Sequence, residues 1–297
     1  MNRVGYVLLF LLLAQLALVT KLYWSDRVLE LSDGSASLAD TGPYLVDEIR
    51  ISDGHGAVTR LTKASNHWAL QEQGGLPADS ARIENLLEQL TSTDPGWPVA
   101  HTLPARQRFQ VAPYHFRRRI ELWAQGEIIS SVFLGTSPGF RKVHARNEAQ
   151  DEIYSISLNL YETSSRADQW LDRGLLQVRG PLRITSDGYR LDRNGGNWHT
   201  EDGDTPDPRE LEALLAALRS LQVTGLASEE AWDALAFAEA AVILQVESLT
   251  GTVSLELYAL GEQHYVSSSE FERPFKLSAY SFDQLTGIDA LLLSGAQ

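Results

Sequence analysis

Cysteine is absent from the 297 residues, methionine occurs once and lysine only four times. Without a thiol the chain holds no disulfide, no thiolate metal site, no iron–sulfur cluster and no cysteine nucleophile. Basic residues are fewer than acidic ones, 25 against 39, for a formal charge of −14. The cationic excess that general nucleic-acid binding requires is therefore missing, and no nucleic-acid partner is expected. With 43% hydrophobic and 22% charged residues the composition is that of a globular chain rather than a disordered one. Long apolar runs are missing as well, with one exception at the N-terminus.

That exception is VGYVLLFLLLAQLALV at residues 4–19, which carries no charge. As a helix it is roughly 24 Å long, and extension to Trp24 brings it to about 31 Å, enough for a hydrocarbon core. Lys21 would snorkel, and Tyr23 and Trp24 suit the membrane interface. A cleaved signal peptide is the rival, but the small-x-small cleavage site is lacking in Leu-Ala-Leu-Val-Thr-Lys. The expectation is a single-pass inner-membrane anchor over residues 1–24, with Arg3 holding the N-terminus in the cytoplasm. A linker follows at 25–45, and the body lies in the periplasm. Arg3 and Lys21 give the anchor +2, so the remainder carries −16.

The body shows internal similarity. EIRISDG ending at Gly54 is answered by PLRITSDG ending at Gly188. Each has alternating apolar residues, an Asp-Gly turn and a second strand-like stretch, which is hairpin patterning. Trp68 and Trp198 follow at equivalent places. Then come helical stripes at Ile83, Leu86, Leu87, Leu90 and at Leu211, Leu214, Leu215, Leu218. Asp79 and Asp207 stand at the N-cap positions, Asp207 with Glu210 fits a capping box, and Pro208 suits the first helical position. Strand-like runs follow, with Gly126 matching Gly251 at a turn and Leu134-Gly135 matching Leu260-Gly261. Each copy closes on an apolar-spaced segment, 153–171 and 275–293. The expected fold class is α+β. A transmembrane helix precedes two tandem repeats, 46–173 and 182–297, each a mostly antiparallel sheet with one packed helix. The joint at 173–181 reads as partly strand-like.

The series Trp68, Pro77, the Leu-rich helix, Leu134-Gly135, the strand at 143–146, Tyr154 and DQWLDRGLL at 168–176 resembles a bacterial family, domain of unknown function 4340. The resemblance covers most of residues 46–232. It implies an anchored envelope protein that accompanies gliding-type ABC transport systems, and it carries no catalytic residues. The chain departs from the pattern at 99–119, where HTLPARQRFQVAPYHFRRR replaces a smoother approach to the next strand.

Motifs with chemistry fail on inspection. GTSPG at 135–139 matches the nucleophile-elbow spacing, but a strand rather than a helix is expected after it. Pro138 also has no N–H for an oxyanion. The glycine spacing before Lys142 is wrong for a phosphate loop, and EDGDTPD at 201–207 lacks the EF-hand ligand order. The seven histidines form no H-x-x-x-H pair, and His144 reads as an exposed strand residue. No enzyme activity, cofactor or metal is expected.

Charge asymmetry is the leading functional signal. Residues 104–146 hold eight basic residues, Arg106, Arg108, Arg117, Arg118, Arg119, Arg141, Lys142 and Arg146, against two acidic ones. Residues 200–240 hold ten acidic and two basic. Two roles follow. One is a membrane-anchored accessory or scaffold subunit docking on a membrane protein such as an ABC-type transporter. The other is an envelope module that binds an anionic ligand on the eight-residue basic strip.

Overall fold

The computed structural model describes residues 37–42, 45–65, 67–91, 94–288 and 290–293, together with Leu12 and Gln15. The expected anchor therefore lies outside the described residues apart from those two. Among the described residues no helix is long and apolar enough to cross a membrane.

The first half opens with β1 (Glu48–Asp53), β2 (Val58–Ala64), β3 (His67–Leu70) and β4 (Leu76–Pro77). Helix α1 (Ser80–Thr91) and the short α2 (Leu103–Arg108) follow, then the two-residue strands β5 (Val111–Ala112) and β6 (His115–Phe116). The half closes with β7 (Arg118–Ala124), β8 (Glu127–Leu134), β9 (Val143–Asn147) and β10 (Tyr154–Ile156). The second half contains β11 (Pro181–Ser186), β12 (Tyr189–Asn194), β13 (Asn197–Thr200), α3 (Pro208–Ser220), β14 (Val223–Leu226) and α4 (Glu229–Leu235). It ends with β15 (Val242–Ser248), β16 (Gly251–Leu260), β17 (Gln263–Ser268), β18 (Phe271–Leu277), α5 (Ala279–Thr286) and α6 (Ala290–Leu293).

These strands form two eight-stranded antiparallel sheets, ordered β10-β9-β8-β7-β1-β2-β3-β4 and β13-β12-β11-β15-β16-β17-β18-β14, and a separate β5-β6 ribbon. Read from opposite ends, seven strands of each sheet follow one order. The eighth differs: β4 extends the β3 end of the first sheet, whereas β14 extends the β18 end of the second.

The expected fold class needs correction. Strand makes up 40% and helix 24%, in three mostly antiparallel sheets, so the body is dominated by β-structure rather than built as a pair of α+β repeats. Coverage is also not one helix on one face. Alternate residues of a strand point to opposite faces. In β8, Val132 and Leu134 enter the main core with α1, while Phe133 enters a second cluster with Ala105, Val111 and Ile153 under α2 and β5–β6. In the second sheet Leu257 joins the main core, and Tyr258 with Tyr265 packs under α4 with Leu235. Both faces are covered at these places, so β8 from Ser130 to Leu134 and all of β9 are buried, whereas β1 and β2 keep the alternation of a sheet with one open face.

Local signals explain the elements. Asp79 Oδ1 accepts from Arg82 N at 3.0 Å at the start of α1, and Asp207 Oδ1 accepts from Arg209 N and Glu210 N at 2.8 and 3.1 Å at α3. Gln125 and Gly126, at φ 54° and 82°, make the tight turn between β7 and β8. Gly251 is not its counterpart in a turn. It pairs with Ser248 and opens β16. The segment at 153–171 is not one apolar element but β10 followed by short single-turn helices at 160–162 and 167–170. The joint forms turns at 173–176 rather than a strand, and buried Leu176 and Val178 seal it. Val178 N donates to Leu218 O and Val223 N to Arg173 O, tying the joint to the second half. Part of the expected linker is docked too: Leu38 and Ala39 are buried, and Ala39 N donates to Leu90 O at 2.8 Å.

Candidate functional site

The stretch 99–119, where the chain leaves the expected pattern, builds a wall found in the first half only. Helix α2 ends at Arg108, and Gln110 takes a left-handed φ of 57° to turn the chain into the β5–β6 ribbon. The ribbon lies close across the end of β8, and glycine permits it. A Cβ on Gly135 would stand 1.9 Å from Phe109 O and 2.6 Å from Gln110 O. Thr136 N donates to Phe109 O at 2.8 Å, and Arg117 N to Leu134 O at 3.0 Å.

The opposing wall is the connection between β8 and β9. Ser137 Oγ lies 2.7 Å from Gly139 O and 2.6 Å from Lys142 O, which folds the loop on itself. Arg141 is left-handed at φ 53°. The loop joins two strands, so Ser137 does not sit on a strand-to-helix elbow. The β1–β2 turn at Asp53-Gly54-His55 and the segment 158–161 complete the enclosure.

The result is a cleft of about 780 Å³. Four of the eight predicted basic residues line it: Arg117 and Arg118 at the start of β7, and Arg141 and Lys142 from the β8–β9 loop. Asp53 is the one acidic residue among them. Arg118 Nε donates to Thr163 O at 2.9 Å and its Nη1 to Arg117 O at 2.7 Å, while Arg117 Nε donates to Gln110 Oε1 at 2.8 Å. The guanidinium groups are held by neutral acceptors. Among the described residues no carboxylate forms an ion pair with any of the four. Asp53 is occupied elsewhere, accepting from His55 N and Ala57 N at 2.8 and 3.1 Å and from Ser165 Oγ at 2.8 Å. Burial alone would raise its pKa, but these hydrogen bonds and the nearby Arg118 charge together lower it.

The other four basic residues stand apart. Arg106 pairs with Asp151, and Arg119 with Glu148 at 2.9 Å and Glu121 at 3.1 Å. Arg108 lies over the Phe109 ring, 4.6 Å from its centroid. Arg146 has left the surface entirely. It is 1% exposed, with Nε donating to Val111 O and Nη1 to Asn147, Glu148 and Gln150 carbonyls. His144, expected to be exposed, is buried and stacked on Phe109 at 4.1 Å, with Nδ1 2.9 Å from Thr136 Oγ1. Burial holds its pKa below the ordinary imidazole value.

Sequence reasoning missed the cleft's aromatic and neutral residues: Tyr114, Phe116, Gln110, and Asn159 and Tyr161 from across the fold. The irregular stretch at 99–119 was the available signal for the first three. No sequence spacing relates them to Asn159 and Tyr161. A second, polar cleft of about 530 Å³ at the joint is lined by Asp79, Arg82, Asp172, Arg173 and Arg179 among others. Among the described residues no group of three His, Asp or Glu is placed to hold a metal ion.

A family profile described as a domain of unknown function (DUF4340) matches residues 68–239. The chain belongs to that family. No curated protein and no solved structure matches it. In this DUF4340 member the matched region begins at the buried Trp68, runs through the whole cleft-building stretch at 99–119, and ends just beyond α4.

Proposed function

We propose that this protein is a non-enzymatic binding module that holds an anionic ligand in the cleft of its first half. The observation that carries the reading is the convergence of Arg117, Arg118, Arg141 and Lys142 on one concavity, none of them in an ion pair with a carboxylate among the described residues. Four cations on one concavity, with Asp53 held by His55, Ala57 and Ser165, focus a positive potential there on a chain whose net charge is −14. Backbone strain supports the same place. Of the four non-glycine residues with positive φ among the described residues, Gln110 and Arg141 both line the cleft. Each such residue costs about 1–2 kcal/mol and tends to mark a site under functional constraint. The test is retention on an immobilised polyanion at low and at physiological salt. The wild-type chain should bind in a salt-sensitive way, and the double variant Arg117→Glu/Lys142→Glu should not. Equal retention of both proteins would sink the reading.

We further propose that the apolar run at residues 4–19 anchors this module to the bacterial inner membrane, with the body outside the cytoplasm. There it serves as an accessory subunit of a membrane complex such as an ABC-type transporter. The support is the uncharged run itself. Affinity purification from mildly solubilised membranes should recover integral membrane partners. Reproducible recovery of the protein alone would count against this role.

A further inference from the structure

Resting on the reading of the cleft as an anion site, we propose that its ligand is an acidic glycan: a chain of sugar rings carrying carboxylate or phosphate groups at intervals. The cations come as two pairs on two different elements, Arg117–Arg118 where β7 begins and Arg141–Lys142 in the β8–β9 loop. A lone inorganic anion is held by donors converging on one point. Cations brought from two walls of a cleft of about 780 Å³ suit a ligand of several rings with more than one acid group.

The remaining lining is what a sugar chain requires and a bare anion does not. Tyr114 and Tyr161 lie 77% and 89% exposed at the cleft, and Phe116 is half-buried within it. Large aromatic rings left open to water are an apolar surface awaiting a partner. The C–H face of a pyranose is such a partner, since its weakly positive hydrogens meet the negative face of the ring. The amide oxygens of Gln110 and Asn159 accept from Arg117 Nε and Tyr161 N, and their NH2 groups supply neutral donors suited to sugar hydroxyls.

Aromatics with cations also suit single-stranded nucleic acid. The layout of the cations separates the two. Single-strand binders track the backbone with an extended basic groove, whereas this chain of net charge −14 gathers four cations on two walls of one cleft. A short acidic glycan whose acid groups reach those two walls, with its rings and hydroxyls between them, needs no more than these four.

The experiment is calorimetric titration of the full-length protein at 50 and 150 mM salt. The probes are an oligogalacturonate, a mannose-phosphate oligomer, a neutral malto-oligosaccharide of matched length, an oligo-dT and inorganic tripolyphosphate. One or both acidic glycans should bind, more weakly at the higher salt, and the neutral one at least about tenfold more weakly. The double variant Tyr114→Ala/Tyr161→Ala should weaken glycan binding about tenfold while leaving tripolyphosphate within twofold. Tyr114→Phe/Tyr161→Phe should restore most of the loss, which a merely misfolded variant would not do. If tripolyphosphate matches both glycans and the tyrosine variants change nothing, the glycan assignment falls while the anion site stands. Tighter binding of oligo-dT than of either glycan also overturns it. Absence of binding by every anionic probe at 50 mM salt would remove both the glycan and the anion site.

Discussion

Arg146 offers a sharp test of how the cleft is held. Its side chain is 1% exposed and reaches from β9 to the ribbon: Nε donates to Val111 O at 2.9 Å, and Nη1 to Asn147 O at 2.9 Å, Glu148 O at 3.2 Å and Gln150 O at 2.8 Å. Phe133 lies beneath it, with the guanidinium carbon 5.1 Å from the ring centroid. Arg146→Met keeps most of the volume and removes every donor. Glu148 and Gln150 are exposed, so water replaces the bonds to their carbonyls at little cost. Val111 and Asn147 are buried, and their carbonyls lose a charge-assisted partner. At about 1.5–3 kcal/mol each, the loss comes to about 3–6 kcal/mol, less what the buried charge itself costs in the native state. A net destabilisation of about 3 kcal/mol is expected, a fall in Tm of roughly 6–12 °C. Urea unfolding followed by tryptophan fluorescence measures it. Because Val111 begins the ribbon that carries Tyr114 and Phe116, anion binding should weaken even well below the unfolding midpoint. Arg146→Lys keeps the charge but not the fork and should fall between the two. A change under about 0.5 kcal/mol for Arg146→Met, with binding intact, would refute the view that this arginine is structural.

Two further outcomes follow from the geometry. Gly135→Ala puts a Cβ 1.9 Å from Phe109 O, so the ribbon must move; anion affinity should fall at least as far as stability does, whereas Gly54→Ala, with only a 3.1 Å contact to Phe116 O, should be much milder by the same titration. The Asp53 pKa is lowered in the folded state, so its contribution is present above the ordinary value of 3.8 and is lost as pH falls through the lower folded value. Wild type should therefore lose stability to Asp53→Asn in acid, the gap between the two narrowing below about pH 4 in urea melts, and a gap that does not depend on pH would refute the assignment.

Much of the local structure was legible in the chain. The Asp-Gly turns, the two helical stripes and their Asp caps depend on residues within a few positions of one another, and they form where their spacing indicates. The overall balance was not legible. Helical stripes and apolar runs are visible one at a time, but two-residue strands such as β4 and β5, and edge strands such as β10, exist only because a neighbour offers its backbone. The basic strip shows the difference for the site. Eight cations are adjacent on paper, yet Arg106 and Arg119 meet carboxylates and Arg146 meets backbone carbonyls. Proximity in sequence does not reveal which cations find partners.

By itself the sequence determined the absence of thiol chemistry, the acidic net charge, the uncharged N-terminal run and the duplicated hairpin-and-helix pattern, because composition and short-range periodicity need no tertiary contact. Only the tertiary structure decided that each sheet is covered on its second face over part of its width, that His144 and Arg146 are buried, and that Tyr161, Asn159 and Asp53 meet the ribbon at one cleft. Those outcomes turn on antiparallel pairing of β1 with β7 and on the docking of 158–163 beside it, contacts between segments more than sixty residues apart in the one case and about forty in the other. Hydrogen-bond complementarity and apolar burial select such contacts across the whole molecule, and no local pattern encodes them.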